Sequence, residues 1–235
     1  MDGPQMSKSS KPTRRLRAAS DHAICAASVD FPTPPLPDNT TILRFTSGSS
    51  ADAAIVDSRI VLEASHLEAL GGWLEEEGLR GEPRLLYRAS EHGWQGAQFH
   101  AKCNNQGPTL TIIKSSGGFI FGGYADRAWN SCGNYQASPK AFLFALHCHS
   151  GLGPTKMAQN GRQPQRAVYD SNTNGPTFGN NYDVYVANNA NGNTSSYTNI
   201  GGTYQCPAGQ TANTFLTGAY NYTAAEVEVY SAPIS

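Results

Sequence analysis

Charge is what this sequence has least of. Aspartate, glutamate, lysine and arginine make up only 15% of its 235 residues, and the formal net charge is −1. No basic excess provides an electrostatic footprint for a nucleic-acid backbone, and no acidic excess provides one for cations. Long apolar runs are missing as well: no stretch approaches the roughly 20 apolar residues that a helix needs to span a bilayer. Neither GxxxxGK[ST] nor GxGxxG stands between a strand and a helix, so nucleotide binding has no support. Five cysteines (Cys25, Cys103, Cys132, Cys148 and Cys206) are widely spaced and include no CxxC pair. That pattern argues against a zinc framework and favours a reducing, cytoplasmic compartment, although the last four are enough to form pairs. Three N-x-S/T sequons, at Asn39, Asn193 and Asn221, matter only if the chain is secreted.

What is present divides the chain in two. Residues 1–40 read as a disordered, basic and proline-rich tail, with Lys8, Lys11, Arg14, Arg15 and Arg17 grouped among Ser, Pro and Ala. Phe31–Pro37, FPTPPLP, is expected to be extended with polyproline character, because proline fixes φ and lacks a backbone donor. KPTRRLR reads as a solvated tail, with a nuclear signal or an anchor to an anionic surface as alternatives. Asp2 and Asp21 count against a transit peptide. Residues 41–235 read as one domain; about 190 residues bury on the order of 70% of their unfolded surface, enough for an independent core.

Inside that domain the apolar rhythm changes from helical to alternating. Leu67, Leu70, Trp73 and Leu74 form a helical stripe, with Ser65 and Glu68 spaced as a capping box. Leu85–Tyr87 is a short strand, and Trp94, Phe99 and Cys103 are assigned to a short helix with Phe99 and Cys103 on its buried face. Thr109–Lys114 and Phe119–Tyr124 flank Ser115–Gly118, where glycine supplies the positive φ of a tight hairpin. Ala141–His149 is almost continuously apolar, as in a strand buried on both faces. Ala167–Tyr169, Tyr182–Ala187 and Ala225–Tyr230 read as further strands, Tyr182–Ala187 as half-exposed. Strands joined by short Gly/Asn turns predict an α+β fold, mainly β: a two-layer antiparallel β-sandwich flanked by a few helices.

RLLYRASEHGWQGAQFHAKC, then GPTLTIIK, then GGFIFGGY (Arg84–Tyr124) resembles the TLDc domain. The likeness extends upstream to DSRIVLEASHLEALGGWL and downstream to AFLFAL, GPTFGNNYDVYVANN and AEVEVY, covering Ser58 to Ala232 with looser agreement over 126–139 and 151–166. It implies a non-enzymatic interaction domain that needs no cofactor. The implied roles are oxidative-stress resistance and regulation of the vacuolar proton-pumping ATPase through its peripheral subunits, in the cytoplasm or at organelle surfaces. No LysM or GTPase-activating domain, as other members carry, is recognisable here. Binding residues concentrate on loops over a rigid scaffold, so Asp126, Arg127, Trp129, Asn188, Asn189 and Asn191 are the expected partner contacts. Oligomeric state is left open.

Other chemistries have candidate residues in the sequence. His147 and His149 would supply half a zinc site if two more ligands converged, and Cys148 beside them resembles a thiol nucleophile. Neighbouring strand residues point to opposite faces, which works against a Cys–His pair. His100 and Cys103 are close enough on a helix to touch, but a buried cysteine behaves as a small hydrophobe. Glu226 and Glu228 lie about 7 Å apart on one strand face, near a glycosidase spacing, yet an edge strand with its polar side in water gives the same alternation. The single acid after Gly179, Asp183, is too few for a calcium loop. Tyr- and Asn-rich loops leave a glycan-binding sandwich as a further alternative.

Overall fold

The computed structural model describes residues 41–42 and 57–232. The tail expected over 1–40 lies outside the described residues. Strands β1 (Thr41–Ile42) and β2 (Asp57–Ser58) pair antiparallel. Helix α1 (Ala64–Glu76) follows, then β3 (Arg84–Arg88), α2 (Ala89–His92), α3 (Gly96–Cys103), β4 (Thr109–Ser115) and β5 (Ile120–Ala125). Next come β6 (Asn134–Gln136), β7 (Phe142–His147), β8 (Thr155–Met157), β9 (Val168–Asp170), β10 (Thr177–Phe178) and β11 (Val184–Tyr185). The last strands are β12 (Ser196–Thr198), β13 (Asn221–Tyr222) and β14 (Ala224–Ser231).

Two six-stranded antiparallel sheets carry the domain. One has the order β3-β14-β4-β5-β7-β8 and the other β13-β12-β11-β10-β9-β6. Ile113, Phe121, Leu143, Val227 and Val229 of the first sheet share a core with Val168, Phe178, Val184 and Tyr222 of the second. The fold is the expected mainly-β sandwich. The first sheet is apolar on both sides, because Leu110, Ile112, Tyr124, Phe142 and Phe144 on its other face pack against Ile60, Val61, Leu70 and Leu74 from α1 and its lead-in. Side chains alternate with period two, so β4, β5 and β7 supply one core with odd positions and the other with even ones.

Several local expectations change. Helix α1 begins at Ala64 after Glu63, with no side-chain cap; Ser65 lies inside the helix, so its pairing with Glu68 is not a capping box. The capping box sits instead at α3, where Gln95 and Gln98 exchange bonds, and Trp94 precedes that helix. Trp73 is half-buried, its ring 6.1 Å from Phe144 and 6.5 Å from Phe142. The run Tyr182–Ala187 is a strand only at Val184–Tyr185. Asp183 is fully buried. It accepts backbone N–H bonds from Gly201, Gly202, Thr203 and Tyr204 at 2.6–3.1 Å, tying the loop after β12 in place.

Candidate functional site

The largest revision concerns β14. Its EVEV alternation reads as an edge strand, but β14 lies between β3 and β4 near the middle of its sheet. Val227 and Val229 face the shared core, while Glu226, Glu228 and Tyr230 face the side covered by the segment around Ser58. A carboxylate on that face leaves water and must be paired. Register supplies the partner, because Glu228 stands directly opposite Arg88 on β3.

The pairing is dense. Glu228 accepts from Arg88 Nε at 2.9 Å, Ser58 Oγ at 2.8 Å, the Arg59 N–H at 2.9 Å and the Tyr230 hydroxyl at 2.9 Å. Both ion-pair side chains are inaccessible, at 2% and 0% exposure. Burial also pushes the Tyr230 phenol up, with the nearby Glu228 charge adding to the rise. Arg88 Nη1 reaches Glu91 at 3.2 Å, and Glu91 takes Arg59 Nη2 at 2.5 Å on the surface. Arg59 and Glu91 are exposed, so charge runs from solvent through Arg88 to a buried carboxylate.

Glu226 fastens the neighbouring turn. Its carboxylate accepts the Ser90 N–H at 3.1 Å and the Ser90 hydroxyl at 2.5 Å. It thereby sits at the start of α2, where backbone donors lack helical partners. The two glutamates are buried and hold separate hydrogen-bonded neighbours, unlike an open pair of glycosidase carboxylates. Ser90 is hydrogen-bonded to a carboxylate, and His92 Nδ1 accepts the Arg88 N–H at 3.0 Å. Arg59, Ser90 and Glu91 together present a compact charged patch on a rigid base.

The expected partner contacts separate into surface and interior. Arg127, Asn188, Asn189 and Asn191 are exposed, and Asp126 is half-buried, accepting from the Ser138 hydroxyl and the Lys140 N–H. Asn188 Oδ1 accepts the Gly96 N–H at 2.9 Å, and the Asn189 N–H donates to Trp94 at 2.9 Å. Trp129 is a correction. It is 1% exposed, its indole donates to Thr109 at 2.9 Å, and it packs edge-on against Phe99 and Phe178. A loop position does not place a side chain outside when the loop itself folds over the end of the sandwich.

His147 and His149 are exposed and flank Phe119, at ring distances of 5.6 and 5.8 Å. Cys148 is buried between them, 3.3 Å from Ser150 Oγ. Among the described residues no group of three or more His, Cys, Asp or Glu side chains could hold a metal ion. His100 is buried and bonds Asn104 and the Ser171 carbonyl. Burial pushes the Cys103 thiol well above its usual range, opposite to an activated thiolate. Arg59, Arg88, Ser90 and Glu91 were missed as a cluster. The sequence signal was Arg88 and Glu91 three apart in RASE, which reveals neither Arg59 nor the Ser58 and β14 behind it.

Comparison with known proteins matches the TLDc domain model to residues 55–232. This chain belongs to the TLDc family. Curated relatives include the MTOR-associated protein MEAK7 of Xenopus laevis, 38% identical over 63 residues, which are 27% of this chain and 14% of that protein. Human interferon-induced protein 44 is 40% identical over 79 residues, 32% of this chain and 17% of that protein. The GTPase-activating protein skywalker of Drosophila melanogaster is 31% identical over 90 residues, 34% of this chain and 15% of that protein. The chain therefore spans less than a fifth of each of these three relatives. No helix among the described residues is long and apolar enough to cross a membrane.

Proposed function

We propose that this TLDc domain is a non-enzymatic docking module whose partner is the peripheral part of the vacuolar proton-pumping ATPase, acting in the cytoplasm or at organelle surfaces and affecting oxidative-stress tolerance. The family match over 55–232 carries the reading. The geometry adds support: Glu226 and Glu228 are engaged in holding the fold, while Arg59, Ser90 and Glu91 face outward on a fixed base. Arg127, Asn188, Asn189 and Asn191 extend the accessible contact set.

The test is affinity purification of the tagged full chain from its native cells, followed by mass spectrometry. Peripheral pump subunits are expected in the eluate, and the charge reversals Arg59→Glu and Glu91→Arg should deplete them several-fold with the fold intact. Recovery of MTOR or another partner in their place would overturn the pump assignment. Recovery of the pump subunits at equal yield with both variants would remove the Arg59–Glu91 patch from the interface.

A further inference from the structure

The outer face of the second sheet carries six tyrosines in one connected row. Tyr135 on β6 and Tyr169 on β9 are directly opposed, as are Tyr185 on β11 and Tyr197 on β12. Ring centroids lie 4.9 Å apart for Tyr135–Tyr169, 5.2 Å for Tyr185–Tyr197 and 4.8 Å for Tyr197–Tyr220. Strand β10 intervenes, with Thr177 at the corresponding position. Tyr182 closes that gap, its ring 4.9 Å from Tyr169 and 5.5 Å from Tyr185. It does so from a left-handed backbone, φ 61°, next to Asn181 at 55°. A bulky residue in that conformation costs on the order of 1–3 kcal/mol, and such strain gathers where a side chain must be aimed.

The row is accessible and short of acceptor charge. Tyr220 is 40% exposed and the other five rings are half-buried. Between Arg127 and Ala225 the sequence holds two carboxylates, Asp170 and Asp183, and both are fully buried beneath backbone N–H groups. Arg166 lies over the Tyr135 ring at 5.0 Å and bonds Asn180 at 2.8 Å, adding donors at one end. Burial pushes the phenols of Tyr182 and Tyr185 up and that of Tyr197 up to about 12, so all three stay protonated, and hydrogen bonds link Tyr182 to Tyr169, Tyr197 to Tyr220 and Tyr185 to Asn174. The face thus offers ring edges, hydroxyl and guanidinium donors and, among the described residues between Arg127 and Ala225, no exposed carboxylate.

A polyproline II segment is the complementary ligand. Its prolines lack N–H groups, its carbonyls are all outward-facing acceptors, and its pyrrolidine rings pack between aromatic rings. Crossing the five strands from Tyr135 to Tyr197 at about 4.8 Å spacing takes about 19 Å and Tyr220 adds about one more spacing, which about eight residues at about 3.1 Å each cover. Saccharide hydroxyls need acceptors as well as donors, and carboxylates, the strongest side-chain acceptors, are missing from this face. We propose that the tyrosine row Tyr135–Tyr169–Tyr182–Tyr185–Tyr197–Tyr220 is a docking surface for a proline-rich extended peptide of a partner protein. This surface is separate from the Arg59–Glu91 patch and does not rest on the pump assignment.

Fluorescence anisotropy of a labelled ten-residue oligoproline, titrated with the full chain, tests it. Saturable binding is expected, with a Gly/Ser peptide of equal length failing to bind. Tyr185→Ala with Tyr197→Ala should weaken the oligoproline by about tenfold or more, as loss of aromatic anchors does at other interfaces. Tyr197→Phe keeps the ring, removes one donor and should weaken it several-fold; near-UV circular dichroism should show that the variants retain the folded core. Absence of saturation, insensitivity to all three substitutions, or saturable binding of cellohexaose in place of oligoproline would each overturn the proposal.

Discussion

Removing one member of the Arg88–Glu228 pair is the sharpest test of how this fold is held together. Both side chains are inaccessible, and Glu228 gathers four donors at 2.8–2.9 Å. Arg88→Met leaves a carboxylate in a dry site with three neutral donors. Glu228→Met removes the carboxylate at Arg88 Nε from a buried guanidinium that keeps Glu91 at Nη1. Breaking a buried pair from either end costs about 3–5 kcal/mol, mostly from the stranded charge and not from the lost attraction. At about 2–4 °C per kcal/mol for a chain of this size, each single variant should melt roughly 10 °C lower. The double variant Arg88→Met/Glu228→Met removes both charges, so it should lose at least about 2 kcal/mol less than the sum of the singles.

Urea denaturation followed by tryptophan fluorescence reads this directly, because Trp129 is enclosed in the core. Glu91→Gln serves as the internal comparison. Its side chain is 39% exposed, so losing its contacts to Arg59 and Arg88 should cost no more than about 1 kcal/mol and should be screened by salt. Single variants that each cost under about 1 kcal/mol, or a double that equals the sum, would refute a charge-coupled buried pair.

Two further outcomes follow from the core. Burial pushes the phenols of Tyr124, Tyr204, Tyr222 and Tyr230 above the usual value. Above pH of about 10 the unfolded chain releases these protons and the folded chain does not, so stability is full below that pH and falls as pH rises, by up to about 1.4 kcal/mol per pH unit for each phenol. Tyrosinate absorbance should therefore rise cooperatively with unfolding above pH of about 11, and gradual independent titration near pH 10 in a folded protein would contradict it. Gly122→Ala should destabilise by about 3 kcal/mol or more in urea, because the new Cβ would stand 2.0 Å from the Thr111 carbonyl oxygen and 2.8 Å from Phe144. A change within about 0.5 kcal/mol would contradict that packing.

How much was legible before the structure depends on how local the information is. The β4–β5 hairpin was readable because its β-branched run and its turn glycines lie within seventeen residues, with Gly118 at φ 84°. Phe99 was readable as a core residue because it shares a helical face with Cys103 four positions on. Glu226 and Glu228 were not: alternation reports two faces, and whether the second meets water depends on Ser58 and Arg59, 170 and 169 positions from Glu228, and on Ser90, 136 positions from Glu226. Trp129 was misplaced for the same reason, since Thr109 and Phe178 enclose it from other elements. The tyrosine row has no period at all along the chain. Its members come together only through the register of β6, β9, β11 and β12 and the left-handed turn at Tyr182.

The distribution of charge links the fold to two distinct kinds of contact. Asp170 accepts the N–H groups of Asn130 and Ser131 and a Gln136 amide, and Asp183 does the same for the loop after β12. Each acid supplies acceptors where a strand partner is missing, so the N–H groups of Asn130, Ser131 and residues 201–204 are satisfied in irregular loops. With its acids consumed inside, the outer sheet face is left to neutral rings and amides, with the Arg166 guanidinium at one end. Contacts made there depend on shape and hydrogen-bond donors and should change little with salt. Contacts made through exposed Arg59 and Glu91 are ionic and should weaken as salt rises. Repeating the affinity purification and the oligoproline titration across salt concentrations therefore separates the two surfaces: salt should release partners held at Arg59–Glu91 and spare those held by the tyrosines, and equal salt sensitivity of both would contradict this division.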